Sequence, residues 1–400
     1  MHRLTLKTKR NLMFSFILIL IIMPNSTSLF AQTNINPNIE WKTAAHMQDL
    51  QGKPILGLAG AINGVHKDVL IVAGGANFPD KMPWEGGQKK YYNTIQVLEK
   101  KGDNYSWNTE VDTYLPEPIA YCGVTSTDLG VVYVGGENKN GLSQKAYLLK
   151  WAKTKNEITF HHLPDLPKAL SNIALSNYEK VLYAVGGDET QNSSKDFYSL
   201  NLNEAHLQWK KLTDLPLALA NATAVVQETK EGPCLFVFGG RTKTVSGISD
   251  LHGTTFSYNF DQKQWKEVAT ISDEKSLMNL SAGTALRVGK SKILLLGGDN
   301  GVVFHQIETY LSQIALANSP KEKEILIGKK NELVTRHEGF YRGILAYDTI
   351  TDSWEKIAEL PFLTPVTTTA CLWDDALVLS NGEIKPGIRT PNIMIGKIKK

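Results

Sequence analysis

One hydrophobic pattern recurs along the chain: a run of Val, Ile, Leu, Tyr or Phe residues that ends in a pair of glycines. A short apolar run bounded by turn residues predicts a buried β-strand. The copies span residues 69–75, 131–136, 181–187, 235–240, 293–298 and 376–382, and the sixth has Asn381 in place of the first glycine. Their final glycines lie about 50 to 60 residues apart, apart from a longer last interval, which indicates an internal structural repeat.

Each repeat predicts four strands. Small, β-favouring residues precede the apolar run, for example at 58–62, 221–226 and 366–371, and predict an innermost strand where the chains crowd together. A third β-like run follows at 92–97, 146–151, 196–202, 254–260, 343–347 and 392–398. A fourth carries an aromatic residue and usually a Leu-Pro pair. Four strands separated by turns are typical of a propeller blade.

The sixth repeat stops after its third strand. Residues 39–41 and Pro54, at the other end of the chain, carry the Trp-then-Pro signature of a fourth strand, with Trp41 as the aromatic. Such a strand would close the ring and remove its open edge. The glycine pair, the aromatic residue and the repeat length resemble kelch repeats. We therefore expect an all-β fold: a six-bladed β-propeller whose C-terminal blade is completed by an N-terminal strand.

The fifth repeat contains an insertion between Val303 and Arg342. Apolar residues at 307, 311, 314 and 315 fit one face of a helix, and a charged stretch follows at 321–330. The insertion is either a lid over the ring opening or a surface decoration, and the sequence favours neither.

Residues 1–31 predict a secretory signal peptide. Four basic residues precede an apolar segment at 12–23, and small and polar residues follow it up to Ala31. The apolar segment is shorter than the ~20 residues that a membrane span needs. We expect a periplasmic protein without a membrane span, whose mature part, 32–400, is a single propeller domain. Without the leader's four basic residues, the 43 Lys and Arg become 39 against 40 Asp and Glu, a balance that does not indicate a nucleic-acid partner.

Polar residues follow the glycine pairs at the predicted ends of the second strands. They are Asn77, Glu137 with Asn138, Asp188, Arg241, Asp299 with Asn300, and Glu383. In a propeller these positions lie at one end of the ring near the central channel, so they are candidates for ligand binding, although loops are often polar for other reasons.

The stretch Asn-Gly-Glu-Ile-Lys-Pro-Gly-Ile-Arg-Thr at 381–390 carries the most specific chemistry. Glu383 could act as a general base, and Arg389 could bind a substrate carboxylate through a bidentate pair of hydrogen bonds. Taken alone, the stretch could equally be a turn with two solvated charges.

This stretch, the loop from Gly74 through 84–92 and the loop at 135–138 resemble those of the N-acetylneuraminate epimerases, or sialic acid mutarotases, which have a six-bladed kelch propeller. In that family the motif Asn-Gly-Glu-x-Lys-Pro-Gly-x-Arg-Thr holds the proton acceptor and an arginine for the substrate carboxylate, which fall here on Glu383 and Arg389. The motif is mid-chain in the family and last here, so the chain resembles a cyclically permuted form.

The resemblance implies interconversion of the α and β anomers of N-acetylneuraminate, a small sugar acid, without metal or redox cofactor. We take Asn77, Glu137, Arg241 and Lys385 as candidate substrate-binding residues. The main alternative is a non-catalytic kelch propeller that binds a glycan or a protein. Sialidase boxes and the Tyr and His ligands of a copper oxidase are not found in the sequence. The oligomeric state does not follow from the sequence.

Overall fold

The computed structural model describes residues 39–49 and 51–399, so the predicted leader lies outside the described residues. Six four-stranded antiparallel sheets form the blades of a β-propeller, which confirms the predicted fold class. Numbered along the chain from the innermost strand outwards, blade 1 comprises Ile62–His66, Val69–Ala73, Ile95–Lys101 and Asn104–Trp107; blade 2 comprises Gly123–Thr127, Gly130–Val134, Ala146–Ala152 and Glu157–Leu163; blade 3 comprises Ala174–Tyr178, Val181–Val185, Phe197–Asn201 and Lys210–Lys211.

The other three blades follow the same order. Blade 4 comprises Thr223–Thr229, Gly232–Phe238, Thr255–Asn259 and Gln264–Val268; blade 5 comprises Thr284–Val288, Lys292–Gly298, Tyr341–Asp348 and Ser353–Glu359; blade 6 comprises Cys371–Trp373, Ala376–Ser380, Asn392–Ile398 and Ile39–His46. The insertion in blade 5 forms two helices, α1 (Val302–Leu316) and α2 (Pro320–Thr335). Among the described residues, no helix has the length and apolar character needed to cross a membrane.

Four of the blades carry a short hairpin directly after the second strand. These hairpins pair Ala76–Asn77 with Lys90–Tyr91, Glu137–Asn138 with Gly141–Leu142, Arg241–Thr242 with Asp250–Leu251, and Glu383–Lys385 with Ile388–Arg389. The long loop of the first hairpin includes a 3₁₀ turn at Pro83–Glu85.

Blade 6 closes the ring as predicted. Strand Ile39–His46 runs antiparallel to Asn392–Ile398, with Trp41 opposite Gly396. The Trp41 ring packs edge-on against Phe362, with 5.4 Å between ring centroids. A Cβ at Gly396 would lie 2.9 Å from the Trp41 ring, so the glycine makes room for the indole. The two ends of the chain therefore complete one sheet, which removes the open edge.

The hydrophobic core is divided among the interfaces between neighbouring blades. Six clusters of buried residues occur, and each combines side chains from two adjacent blades, including blades 6 and 1. In the first, Ile71 of blade 1 and Val131 of blade 2 are both fully buried. Each blade therefore buries both of its faces against its neighbours, which explains why the second strands read as continuous apolar runs.

In blades 1 to 4 the glycine pair joins the blade to the next one. A Cβ on Gly135 would lie 2.3 Å from the carbonyl oxygen of Leu170 in the loop leading to blade 3, a contact that no side chain tolerates. The following Gly136 donates its N–H to that same carbonyl at 2.8 Å. In blade 6, Gly382 keeps this bond, to the Leu58 carbonyl at 2.8 Å, while Asn381 adopts the left-handed conformation (φ 60°) that asparagine accepts more readily than most residues.

Candidate active site

A closed ring of backbone hydrogen bonds surrounds one end of the central channel. Each blade contributes one residue in the left-handed conformation, with φ between 53° and 62°, and its N–H donates to the carbonyl of the equivalent residue in the preceding blade. The six bonds are 2.8 to 3.1 Å long. The members of this backbone ring, which also line a central cavity of about 660 Å³, are Gly60, Tyr121, Asn172, Asn221, Ala282 and Thr367.

The backbone ring fixes the positions of the polar residues that follow the second strands. In every blade the residue just before the ring member forms an antiparallel bridge with the residue directly after the glycine pair, or after Asn381-Gly382 in blade 6. The pairs are Ala59 with Ala76, Ala120 with Glu137, Ser171 with Asp188, Ala220 with Arg241, Ser281 with Asp299, and Val366 with Glu383. Glu137, Arg241 and Glu383 therefore occupy equivalent positions at the same end of the ring.

Glu383 and Arg389 form an ion pair across the blade 6 hairpin. The two residues are directly opposite in the hairpin register, and Oε2 of Glu383 lies 2.7 Å from Nη2 of Arg389. The Gly387 N–H donates to Oε1 of Glu383 at 3.2 Å. The side chains are 20% and 4% exposed, so this is a largely desolvated pair rather than two solvated turn charges. The short hairpin thus brings together the two residues that the sequence singled out.

Arg389 retains unused hydrogen-bonding capacity. Its Cζ lies 4.8 Å from the centroid of the Phe78 ring in blade 1, which holds the guanidinium in place. Nε and Nη1 are buried and have no hydrogen-bond partner among the described residues. Unpaired donors on a buried cation are costly, so a planar anion such as a carboxylate would bind favourably here.

The environment of Glu383 raises its pKa above the ordinary value. Burial is the main cause, and the charge on Asp299 in blade 5 adds to it. The Arg389 guanidinium, the Gly387 N–H and Lys89 act in the opposite direction. A carboxyl group with a raised pKa is a stronger base when ionised, which suits it to general-base chemistry.

A second polar cluster lies at the hairpins of blades 1 and 2. The Tyr91 hydroxyl donates to Oε1 of Glu137 at 2.8 Å, and Nζ of Lys89 lies 3.4 Å from the same oxygen. The ammonium of Lys89 also lies 5.0 Å from the centroid of the Tyr121 ring. Burial and the bond to Glu137 raise the pKa of Tyr91 to about 12. Glu137 was among the predicted residues, whereas Lys89, Tyr91 and Tyr121 were not.

The structure already engages two of the other predicted substrate-binding residues. Asn77 is buried; its Oδ1 accepts the Tyr92 hydroxyl at 2.8 Å and its Nδ2 donates to the Gly57 carbonyl at 2.9 Å. The Arg241 guanidinium contacts both carboxylate oxygens of Asp188, at 2.6 and 3.3 Å. Both side chains thus make structural contacts within the propeller, and their contact with substrate stays a prediction.

Lys385 is on the same hairpin as the ion pair, in a half-buried position. His337, which follows α2, lies close enough that Lys385 contributes to lowering its pKa, although burial is the larger cause. The role of Lys385 in substrate binding likewise stays a prediction. Within the described part of the chain, no three or more His, Cys, Asp and Glu side chains cluster in a way that could hold a metal ion.

The helical insertion contacts one loop of blade 4 and one loop of blade 1. Glu308 of α1 accepts hydrogen bonds from the backbone N–H and the hydroxyl of Ser249 in the blade 4 loop, at 2.6 and 3.0 Å. Asn331 of α2 donates to the Trp84 carbonyl of the blade 1 loop at 3.4 Å. The insertion thus extends from blade 5 to both of these loops, while its action as a lid stays a prediction.

Comparison with known sequences shows which proteins this chain is similar to. The sequence profile described as N-acetylneuraminate epimerase matches residues 163–400, which include Arg241, Glu383, Lys385 and Arg389. The N-acetylneuraminate epimerase of Yersinia pestis (strain Pestoides F) is 28% identical over 237 residues, which cover 58% of this chain and 57% of the relative. That of Salmonella arizonae is 25% identical over 231 residues, 57% of this chain and 56% of the relative.

The matched segment therefore spans a little more than half the length of these curated relatives. Asn77, Glu137 and the loop at 84–92 lie outside the segment that the family profile matches. Since that profile covers more than half of the chain, the chain belongs to the N-acetylneuraminate epimerase family.

Proposed function

We propose that this protein is a mutarotase that interconverts the α and β anomers of N-acetylneuraminate by base-assisted opening and reclosure of the sugar ring. The observation that carries the proposal is the desolvated Glu383–Arg389 pair, in which two buried donors of the arginine have no partner in the described part of the chain. Family membership and the names of the relatives support the choice of substrate.

In the proposed reaction Arg389 binds the substrate carboxylate and thereby fixes the sugar relative to Glu383. Glu383 takes the proton of the anomeric hydroxyl, the bond between the anomeric carbon and the ring oxygen breaks, and the open-chain ketone forms. Closure on the opposite face of the ketone gives the other anomer. Holding the carboxylate still while the ring opens is an orientation effect, because the reacting groups then stay aligned through both steps.

The ion pair couples substrate binding to basicity. In the free protein, Arg389 lowers the pKa of Glu383 against the larger effect of burial. A bound carboxylate neutralises the guanidinium and places a second negative charge near Glu383. Both effects favour the protonated form of Glu383, so the arrival of the substrate makes Glu383 a stronger base.

Proton NMR tests the proposal directly. Sialidase-released α-N-acetylneuraminate should convert to the β anomer faster with the protein than without it, and Glu383→Gln should lower this acceleration by about 10²–10⁴, the range for loss of a general base. The substitution keeps the size of the side chain and a hydrogen-bonding group. A non-catalytic glycan-binding propeller would bind the sugar without accelerating the exchange, and that result would refute the proposal. A second 2-keto sugar acid, measured in parallel, defines the substrate.

We also propose that the protein acts in the periplasm as a soluble kelch-type propeller after removal of residues 1–31. The basic, apolar and small-residue order of the leader supports export. N-terminal sequencing of protein from the periplasmic fraction should begin near Gln32. A chain that keeps Met1 in that fraction would contradict the predicted cleavage.

A further inference from the structure

Tyr121 is unlike the other members of the backbone ring. The remaining five are small or short polar residues: Gly60, Asn172, Asn221, Ala282 and Thr367. Tyr121 has φ 58°, and a bulky side chain in this left-handed region is strained by ~1–3 kcal/mol. Such strain persists where the surroundings impose it, and it concentrates at functional sites. Because the backbone ring imposes this conformation in every blade, it is the bulky side chain at this position, and not the conformation, that needs an explanation.

Gly60 provides the space that the Tyr121 side chain occupies. A Cβ on Gly60 would lie 2.5 Å from the Tyr121 nitrogen and 2.6 Å from Cδ1 of its ring. The tyrosine ring thus lies against blade 1's member of the backbone ring. In this way a residue of blade 2 interacts with the Glu383–Arg389 pair two blades away.

Charged groups of blades 1 and 6 lie near the Tyr121 side chain: Nζ of Lys89 is 5.0 Å from the centroid of its ring, and the charges of Arg389 and Glu383 both act on its pKa. Burial raises its pKa, and the nearby negative charge of Glu383 acts in the same direction. The positive charges of Lys89 and Arg389 lower the pKa. The phenol therefore stays protonated at neutral pH, and two cations are in place to stabilise a phenolate if the proton leaves.

Ring opening requires a proton donor as well as a base. We propose that Tyr121 is a second catalytic residue, which gives a proton to the ring oxygen of the sugar while Glu383 takes the proton of the anomeric hydroxyl. This inference rests on the proposed mutarotase function. Tyr91, the other tyrosine of the cluster, is a weaker candidate because its hydroxyl already donates to Glu137 at 2.8 Å.

The proton and electron count closes in both directions. The anomeric O–H bond breaks and its electron pair forms the ketone, the bond from the anomeric carbon to the ring oxygen breaks, and that oxygen takes the Tyr121 proton. The phenolate is left between Lys89 and Arg389. For reclosure, the phenolate removes the proton of the same chain hydroxyl, whose oxygen attacks the other face of the ketone, and protonated Glu383 returns its proton to the carbonyl oxygen.

Tyr121→Phe removes the hydroxyl and keeps the ring that packs on Gly60. We expect exchange between the anomers, measured by NMR saturation transfer, to fall by about 10²–10⁴ while the affinity for the sugar stays within about threefold of wild type. Tyr178→Phe is the matched control, since Tyr178 ends the inner strand of blade 3 and its hydroxyl contacts Glu228 at 3.2 Å. This variant should exchange at the wild-type rate.

A pH profile separates a proton donor from a structural residue. If Tyr121 donates the proton, exchange falls at alkaline pH as the phenol ionises, and 3-fluorotyrosine, whose phenol is more acidic, moves this decline to lower pH. A protein with 3-fluorotyrosine at position 121 is nearly isosteric with the wild type, so it shows whether Tyr121 donates the proton even if Tyr121→Phe folds poorly. A decline that does not move, or a folded Tyr121→Phe protein with exchange within about threefold of wild type, would overturn the role.

The exchange rates of wild type, Glu383→Gln and Tyr121→Phe distinguish a failure of this inference from a failure of the proposed function. If the wild-type protein does not accelerate the exchange at all, the mutarotase function fails. If the wild-type protein is active and Glu383→Gln is inactive, but Tyr121→Phe is active, the function stands and only the role of Tyr121 is refuted.

Discussion

Thr367 combines two unfavourable features at the mouth of the ring, and replacing it with glycine should stabilise the protein. It is a β-branched residue with φ 53°, and its Oγ1 is buried without a hydrogen-bond partner among the described residues. Its N–H donates to the Ala282 carbonyl at 3.1 Å and its carbonyl accepts from Gly60 at 2.8 Å, so the backbone ring holds it in this conformation. Glycine would keep both bonds.

The expected gain follows from four contributions. Relief of the left-handed strain is worth ~1–2 kcal/mol, and removal of an unsatisfied hydroxyl ~1–3 kcal/mol. Against these, the greater freedom of glycine in the unfolded chain costs ~0.5–1 kcal/mol, and the lost methyl group about 0.8 kcal/mol. The free energy of unfolding of Thr367→Gly should therefore rise by about 2 kcal/mol, within limits of ~0.2 and ~3.7 kcal/mol. With an unfolding entropy of ~2.1 cal/mol/K for each of about 360 residues, a gain of about 2 kcal/mol raises the Tm by about 2–3 °C.

Calorimetry of wild type, Thr367→Gly and Ala282→Gly tests this reasoning. Ala282 has φ 55° in the same backbone ring but carries no hydroxyl, so its replacement should give a smaller gain, at most ~1 kcal/mol. The difference between the two variants measures the hydroxyl's contribution. A Thr367→Gly protein that melts at or below the wild-type temperature would show that neither strain nor the unpaired hydroxyl is stored at this position.

Three further predictions address the site and the ring. Arg389→Lys should weaken binding of the sugar acid about tenfold and change the rate of the bound sugar less, because a single ammonium cannot reproduce the two-point contact with a carboxylate; NMR titration and saturation transfer measure the two effects. Because burial raises the pKa of Glu383 and the base must be ionised, exchange should fall as the pH drops through a midpoint above the ordinary pKa of a glutamate, and Glu383→Gln should lack this decline. A circular permutant that begins at Glu157, with Ile398 joined to Ile39 by about two to five residues, should fold and keep its anomer exchange, since Ile39 and Ile398 are paired in adjacent strands. If circular dichroism shows this permutant to be unfolded, the fold does depend on which blade contains the two chain ends.

The blades were predictable because their interfaces impose a strict pattern on the sequence. A second strand that is buried on both faces must be apolar throughout, as Val69–Ala73 is. The contact between Gly135 and the Leu170 carbonyl explains the first glycine of the pair, and equivalent carbonyl contacts recur in blades 1, 3 and 4; in blade 5 a Cβ on Gly297 would instead meet the Thr364 side chain. Closure by the strand that contains Trp41 was predictable for the same reason, since one strand was missing from one repeat.

The site was predictable only where its residues are close in the chain. Glu383 and Arg389 are six positions apart on one hairpin, so their spacing already indicated a pair. Tyr121 reaches them from blade 2, and no local pattern marks it. Its only sequence signal is its occurrence at a repeat position that elsewhere holds glycine, alanine, asparagine or threonine, which becomes visible once the backbone ring defines the register.

Asn77 illustrates a different limit of sequence reasoning. It was chosen because it follows a glycine pair, but the bridges show that Ala76, not Asn77, is the blade 1 equivalent of Glu137 and Glu383. Asn77 lies one position further along, where its amide holds Tyr92 and the Gly57 carbonyl. Whether a loop residue faces the channel or the fold depends on a one-residue register, because successive residues of a strand point to opposite sides.

The ring also explains how the site is independent of where the chain starts. The backbone ring, the glycine contacts and the six interface cores link each blade to its neighbours. The bond from the Gly382 N–H to the Leu58 carbonyl links blade 6 to blade 1 in the way that the second glycine of the pair links each of blades 1 to 4 to the next blade. Reordering the blades along the chain therefore leaves Glu383, Arg389 and Phe78 in contact. A chain reordered in this way would align with its relatives along only one arc of the ring, and the cyclic permutation stays a prediction that the aligned positions of the relatives would test.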